Sequence, residues 1–283
     1  MCYALWMLIL ISGLLACESG RPPDGRAPVQ LAVAAKPSAS RKSCGGAGED
    51  GSGCVYGIFV GMSEDGRDPA LPYADADARN LAEAFQYRGL MRSSDGIVLT
   101  NRDATRDAIN QAFQALITRM TSRDVFVFFF DGHGRDRALG IWNNDLSYVY
   151  LDRLLRRVPA QQSVVILDTC SAGSFASVGR TRNRGSVAGF FSSRREEVSV
   201  TAVELLSGGY LAAFFIHSLY QLDGDGTVSI HDLRVYLGRR YQEGLGPKRR
   251  QHLIASDGSA ILWRITPTAT THMPVLLSPS QGE

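Results

Sequence analysis

Apolar runs that do not alternate with polar residues recur along this chain, at spacings too wide for hairpins. They are "VYGIFVGM" (55–62), "GIVLT" (96–100), "DVFVFFF" (124–130), "SVVILD" (163–168) and "SAILWRI" (259–265). Their length and their Val, Ile and Phe content suit strands buried on both faces. Helical spacing fills the gaps. Ala78, Leu81, Ala82 and Phe85 form one stripe, with Gly89 placed as a C-terminal cap. Thr105 stands as an N-cap before a second stripe of Ile109, Ala112, Phe113, Leu116 and Met120. Further helices are expected at 209–221 and 229–242, the latter opened by Ser229 and Asp232 at capping-box spacing. The alternation predicts an α/β domain over 55–265, a mostly parallel sheet flanked by helices on both faces. In such sheets the working residues gather at the carboxyl ends of the strands.

The flanks are of another kind. From Ala4 to Ala16 the chain is almost continuously apolar, shorter than the roughly 20 residues of a spanning helix, and it reads as a signal segment over 1–17. "LLAC" at 14–17 has the form of a bacterial lipoprotein signal with Cys17 as the lipidated residue, so an exported protein is expected, periplasmic or membrane-anchored through lipid. Residues 18–54, rich in Gly, Pro, Ser, Ala and Arg, cannot bury enough apolar area to offset their ordering entropy and read as a flexible linker. Cys44 and Cys54 bracket a glycine-rich loop that a disulfide could close in an oxidising compartment; two separate thiols are the alternative. Residues 266–283 read as a flexible tail. With 30 basic and 28 acidic side chains in 283 residues, the net charge of +2 gives no reason to expect a nucleic-acid partner. Oligomeric state is not legible.

Two strand ends carry the chemistry. "VFVFFFDGHGR" delivers Asp131, His133, Gly134 and Arg135, and "VVILDTCSAG" delivers Asp168 and Cys170. Each has one residue between an Asp and the reactive group. If the two strands are neighbours, His133 and Cys170 face each other, and an imidazole beside a thiol lets the thiolate form on demand. The Gly134 and Cys170 amides are then candidates for an oxyanion hole.

"DGHG" and "DTCSAG", in this order and each after a buried strand, resemble the paired motifs of the caspase-like cysteine peptidases, most of all their bacterial metacaspase-like branch. "LPYADADARNLAEAF" and "SGGYLAAFFIHSLYQLDGDGTVSIHDLRVYL" are similar to that family's first helix and its late helix–turn–helix. The resemblance implies the caspase-hemoglobinase fold and a cysteine endopeptidase with Cys170 as nucleophile and His133 as general base and acid. It also implies peptide or protein substrates with a basic P1 residue, held by Asp168 and by an acid of the first helix, Asp77, with Asp75 nearby. No cofactor is required on this reading; calcium activation occurs in the branch and is left open. The family usually has a small residue, often Ser, where this chain has Asp131, and His where it has Ser171. A carboxylate two residues from His133 could raise the imidazole pKa if it points inward. The alternative is a catalytically silent scaffold of the same fold that binds peptides or partners.

"VGRTRNRGS" presents Arg180, Arg182 and Arg184, sites of self-cleavage if the enzyme cuts after Arg. "DGDGTVSIHD" can be aligned to a calcium loop with Gln221, Asp223, Asp225 and Asp232 as ligands, but a neutral first ligand and a short last one favour a turn into a capped helix. A metal hydrolase lacks ligands and has no HExxH. A cysteine phosphatase lacks the arginine six residues after Cys170, where Ala176 stands. No metal site is expected.

Overall fold

The computed structural model describes residues 53–178, 186–200, 208–222, 226–245 and 251–264. The signal segment with Cys17, Cys44, all but the last two residues of the linker, Arg180, Arg182, Arg184 and the tail lie outside the described residues. Among the described residues no helix is long and apolar enough to cross a membrane.

In chain order the elements are β1 (Val55–Gly61), α1 (Ala74–Tyr87), β2 (Gly96–Thr100), α2 (Arg106–Ile117) and β3 (Val125–Asp131). Then come β4 (Gly134–Arg135), β5 (Ala138–Ile141), β6 (Asn144–Ser147), α3 (Tyr148–Leu155), β7 (Gln162–Asp168) and β8 (Ser186–Phe191). The last are α4 (Tyr210–Gln221), β9 (Thr227–Ser229), α5 (Ile230–Leu245), β10 (Ile254–Ala255) and β11 (Ile261–Arg264). The main sheet has the order β10-β8-β7-β3-β1-β2. All its neighbours are parallel except β10, which runs antiparallel to β8.

The period of a strand explains how an unbroken apolar run serves two cores. Successive side chains point to opposite faces, so "VFVFFF" splits by parity. Val125, Val127 and Phe129 enter the core formed with α1, α4 and α5. Phe126, Phe128 and Phe130 enter the core formed with α2 and α3. β7 divides the same way, with Val164 and Ile166 on the first face and Val165 and Leu167 on the second. Each fully buried side chain of this size is worth about 1.5–3 kcal/mol. A polar residue at any interior position of β3 or β7 therefore costs one core or the other.

The local signals act as read. Thr105 Oγ1 accepts from the Ala108 amide at 3.1 Å. Gly89 follows α1 with a left-handed φ of 68°. Ser229 and Asp232 form the reciprocal capping box, each amide donating to the other side chain at 2.8 and 3.2 Å. That box engages the Asp232 carboxylate, Asp223 and Asp225 lie outside the described residues, and no calcium loop is drawn from this segment.

Two strand expectations are corrected. "GIVLT" is an edge strand, half-buried and not enclosed on both faces. "SAILWRI" does not enter the main sheet: β11 pairs antiparallel with β9 in a separate two-stranded sheet, and Ile261 is exposed. β8 and α3 complete the two layers without a strong signal. Ala188 and Gly189 dilute the run of β8, and α3 has only eight residues.

Candidate active site

β3 and β7 are adjacent and central, and their register pairs Phe130 with Leu167 and Asp131 with Asp168. His133 and Cys170 therefore leave the sheet at equivalent points, each two residues past a paired aspartate. The two exits are stitched together. The Gly132 amide donates to the Asp168 carbonyl at 3.4 Å, and Thr169 Oγ1 donates to the Gly132 carbonyl at 2.8 Å. A Cβ on Gly134 would lie 2.0 Å from the Cys170 carbonyl oxygen, so the two backbones touch and only glycine fits.

The cysteine sits on a sharp bend. Ser171 takes a left-handed φ of 55°, and a 3₁₀ turn over Ala172–Ser177 follows at once. Such a φ is uncommon for a residue with a Cβ and needs outside support. Here the Ser171 amide donates to the Glu197 carbonyl at 2.8 Å and the Ala172 amide to Ser193 Oγ at 3.1 Å. Ser192 Oγ accepts from the Thr169 amide at 3.0 Å, and Gln251 Nε2 donates to the Ser192 carbonyl at 2.8 Å. This serine–glutamine cradle, drawn largely from "FFSSRREEVSV", was not singled out in the sequence. Its signal is only a run of small polar residues after a strand. Cys170 Sγ lies 3.9 Å from the Ser199 carbonyl oxygen.

His133 is buried, and its Nε2 lies 2.7 Å from the Pro69 carbonyl oxygen. A carbonyl can only accept, so that contact places the ring proton on Nε2 and leaves the Nδ1 lone pair free to take a proton. The loop bearing Pro69 is anchored by Arg135 of β4, which contacts Asp65, Asp68 and Asp145. One arginine thus ties the hairpin that carries the histidine to the loop that orients it.

Below the thiol, three carboxylates converge from three elements. By parity Asp131 and Asp168 continue the face of β3 and β7 turned toward α1 and α4, and α1 contributes Asp77; all three are buried. The Gly209 amide donates to Asp77 Oδ2 at 2.7 Å. Asp168 accepts from Ser199 Oγ at 3.1 Å and from the Ala212 amide at 3.0 Å. Burial pushes the Asp77 carboxyl up to about 7, aided by the charge of Asp168. Burial followed by the charges of Asp168 and Asp77 holds Asp131 well above the carboxylate range. Burial also raises Asp168, against the pull of its hydrogen bonds. Asp75 stands apart, bonded to Ser63 Oγ at 2.7 Å and paired with Arg79.

A cavity connects thiol and acids, lined by Leu71, Asp131, Gly132, Asp168, Thr169, Cys170, Ser199, Val200 and Gly209. Of the two carboxylates expected around a P1 side chain, Asp168 lines it. Asp77 does not; it sits behind, against Gly209 and Asp131. The second carboxylate on the cavity wall is Asp131, whose carboxyl meets Asp77 and Asp168. Its place could have been found in the sequence: Asp131 and Asp168 end two buried strands at the same parity. Among the described residues no group of three or more His, Cys, Asp or Glu is disposed to hold a metal ion.

The model for the caspase domain matches residues 58–238, spanning β1 to the middle of α5. Among curated proteins, none matches the chain in sequence. A solved structure, protein GSU0716 from Geobacter sulfurreducens, aligns with a TM-score of 0.56 at 15% identity. The alignment covers 76% of this chain and 98% of that one and shows a shared fold. With the family model covering the sheet, the histidine turn and the cysteine bend alike, the chain belongs to the caspase-domain family of cysteine peptidases.

Proposed function

We propose that this protein is an endopeptidase that cleaves after Arg or Lys by a Cys170–His133 dyad. The observation that carries the reading is the cavity running from Cys170 to buried carboxylates that no described cation neutralises. In the reduced enzyme the Cys170 thiol gives its proton to His133 Nδ1, and Sγ bonds to the scissile carbonyl carbon as the carbonyl π pair moves to oxygen. The Gly134 and Cys170 amides face that oxygen, each donor worth roughly 3 kcal/mol of barrier. Collapse re-forms the carbonyl and breaks the C–N bond, and the leaving amine takes the proton from His133. Water, deprotonated by the same imidazole, then releases the acid and regenerates the thiol. The P1 side chain descends toward Asp168. The Pro69 carbonyl keeps the imidazole in the one tautomer that serves both steps.

The test is hydrolysis of fluorogenic peptides with Arg, Lys or Asp at P1, by full-length protein kept reduced with a dithiol and run with and without calcium. Turnover after Arg or Lys, none after Asp, and loss in Cys170→Ala are expected. A folded, reduced protein that turns over none of them supports the scaffold reading instead.

A further inference from the structure

The three buried acids are not equally engaged. Asp77 Oδ2 accepts from Gly209, and both oxygens of Asp168 accept hydrogen bonds, from Ser199 and Ala212. The Asp131 carboxyl shares a hydrogen bond with Asp77, and its Oδ2 is buried and accepts from no donor among the described residues. Asp131 is only 7% exposed, and it lines the same cavity as Asp168 and Cys170. No ion pair among the described residues involves any of the three acids. The pocket roof is backbone: a Cβ on Gly209 would lie 2.1 Å from Asp168 Oδ2 and 3.3 Å from Asp131 Oδ2. A buried carboxylate oxygen without a donor is costly unless something arrives to supply one.

We infer that Asp131, beside Asp168, is the carboxylate that engages the P1 side chain, with Oδ2 reserved for a guanidinium N–H, and that it makes the pocket select Arg over Lys. The inference rests on the peptidase reading above and names its specificity-determining residue. The geometry is that of neighbouring strands. Paired residues on adjacent strands stand about 4.8 Å apart, so the two carboxylates lie side by side at the cavity floor. A planar guanidinium has donors on two edges and can serve both at once, whereas an ammonium is a point charge that centres on one. Asp77 of α1 and the Tyr241 phenol of α5 complete the titratable groups around Asp131, and neither brings a positive charge. Asp77 then acts as a positioning residue, fixing Gly209 and buttressing Asp131 from behind.

The experiment uses full-length reduced protein and one peptide series differing only at P1: Arg, Lys and citrulline, the neutral shape-mimic of Arg. Asp131→Asn and Asp131→Ser are compared with wild type, each shown to be folded by its melting curve. In both variants kcat/KM for the Arg peptide is expected to fall ~30-fold or more, chiefly through KM, and that for Lys by no more than ~3-fold. Citrulline is cut poorly throughout. Equal losses on Arg and Lys, or an unchanged ratio, overturn the inference.

Binding of agmatine to the Cys170→Ala protein, followed by calorimetry, judges the pocket without chemistry. Binding abolished by adding Asp131→Asn supports the inference; binding that survives it, or no binding to the parent, overturns it. A wild type that cleaves no basic peptide, yet binds agmatine through Asp131 as the Cys170→Ala form, sinks the peptidase reading and leaves this one standing.

Discussion

Gly134 and Cys170 meet backbone to backbone, and the proposed chemistry needs that contact as well as the side-chain pair. The Cys170 carbonyl occupies the space that a side chain at 134 would need. In Gly134→Ala the clash is with main chain, so β3 and β7 have to separate at their carboxyl ends, where Thr169 and Gly132 are hydrogen-bonded. Both proposed oxyanion donors and the His133–Cys170 spacing shift together. The expected effect is a fall in kcat of about 100-fold or more with KM changed little, since the proposed P1 pocket lies below the displaced atoms. Steady-state kinetics checks this; a kcat within threefold of wild type would show that the two backbones can separate without consequence. Asp131 gives the contrasting lesson. In the sequence it is a departure from the small residue usual in the family and a threat to His133. In the structure strand parity carries its carboxyl to Asp77 and Asp168.

At the scale of elements, β3, β7 and α1 each bring one acid to the same place, and the cost of that convergence appears in the pH dependence of stability. All three carboxyls are raised above their ordinary values by burial, and for Asp77 and Asp131 by neighbouring charge as well. A carboxyl with a raised folded-state pKa binds its proton more tightly in the native than in the unfolded chain. Its contribution is fully present below the unfolded pKa and is lost as pH rises through the folded value. The window opens near the ordinary carboxylate value of 3.8 and, for Asp77, extends to about 7. Asp131→Asn removes the acid that burial and both neighbouring acids raise. Thermal melts at pH 5 and pH 8 are expected to show wild type losing several degrees more than the variant, by about 1–3 kcal/mol of stability. Parallel losses would mean that the three acids do not share a field. The convergence itself was only partly legible. Caps, stripes and buried runs set α1, α2, β1, β3 and β7 in the sequence because their signals are local. The pairing of Asp131 with Asp168 is a register, a property of two strands that no single window contains.

For the whole molecule, the sequence is most informative where one physical demand dominates and least where several small ones add. A run such as "VFVFFF" must be enclosed on both faces, and that alone implies layers of helices on either side. "SAILWRI" carries much the same composition, yet it lies with β9 in a small sheet, because strand-like apolarity does not say which sheet a strand joins. The cradle of Ser192, Ser193, Ser199 and Gln251 was illegible because it is made of backbone contacts and short polar side chains. Its effect is nevertheless central: it holds a non-glycine residue in a left-handed bend directly after the proposed nucleophile. The loop anchored by Arg135 holds the His133 ring through the Pro69 carbonyl.

These supports converge on one atom, Cys170 Sγ, and the most direct measurement asks whether that atom is the nucleophile of an arginine-reading site. Full-length protein, reduced and then exposed to a peptidyl acyloxymethyl ketone with Arg at P1, is digested and mapped by mass spectrometry. One adduct is expected, on Cys170, that forms faster than with the Asp-P1 reagent and fails to form in His133→Ala. An adduct on Cys54, equal labelling by the Asp reagent, or undiminished labelling of Cys170 without His133 would contradict it.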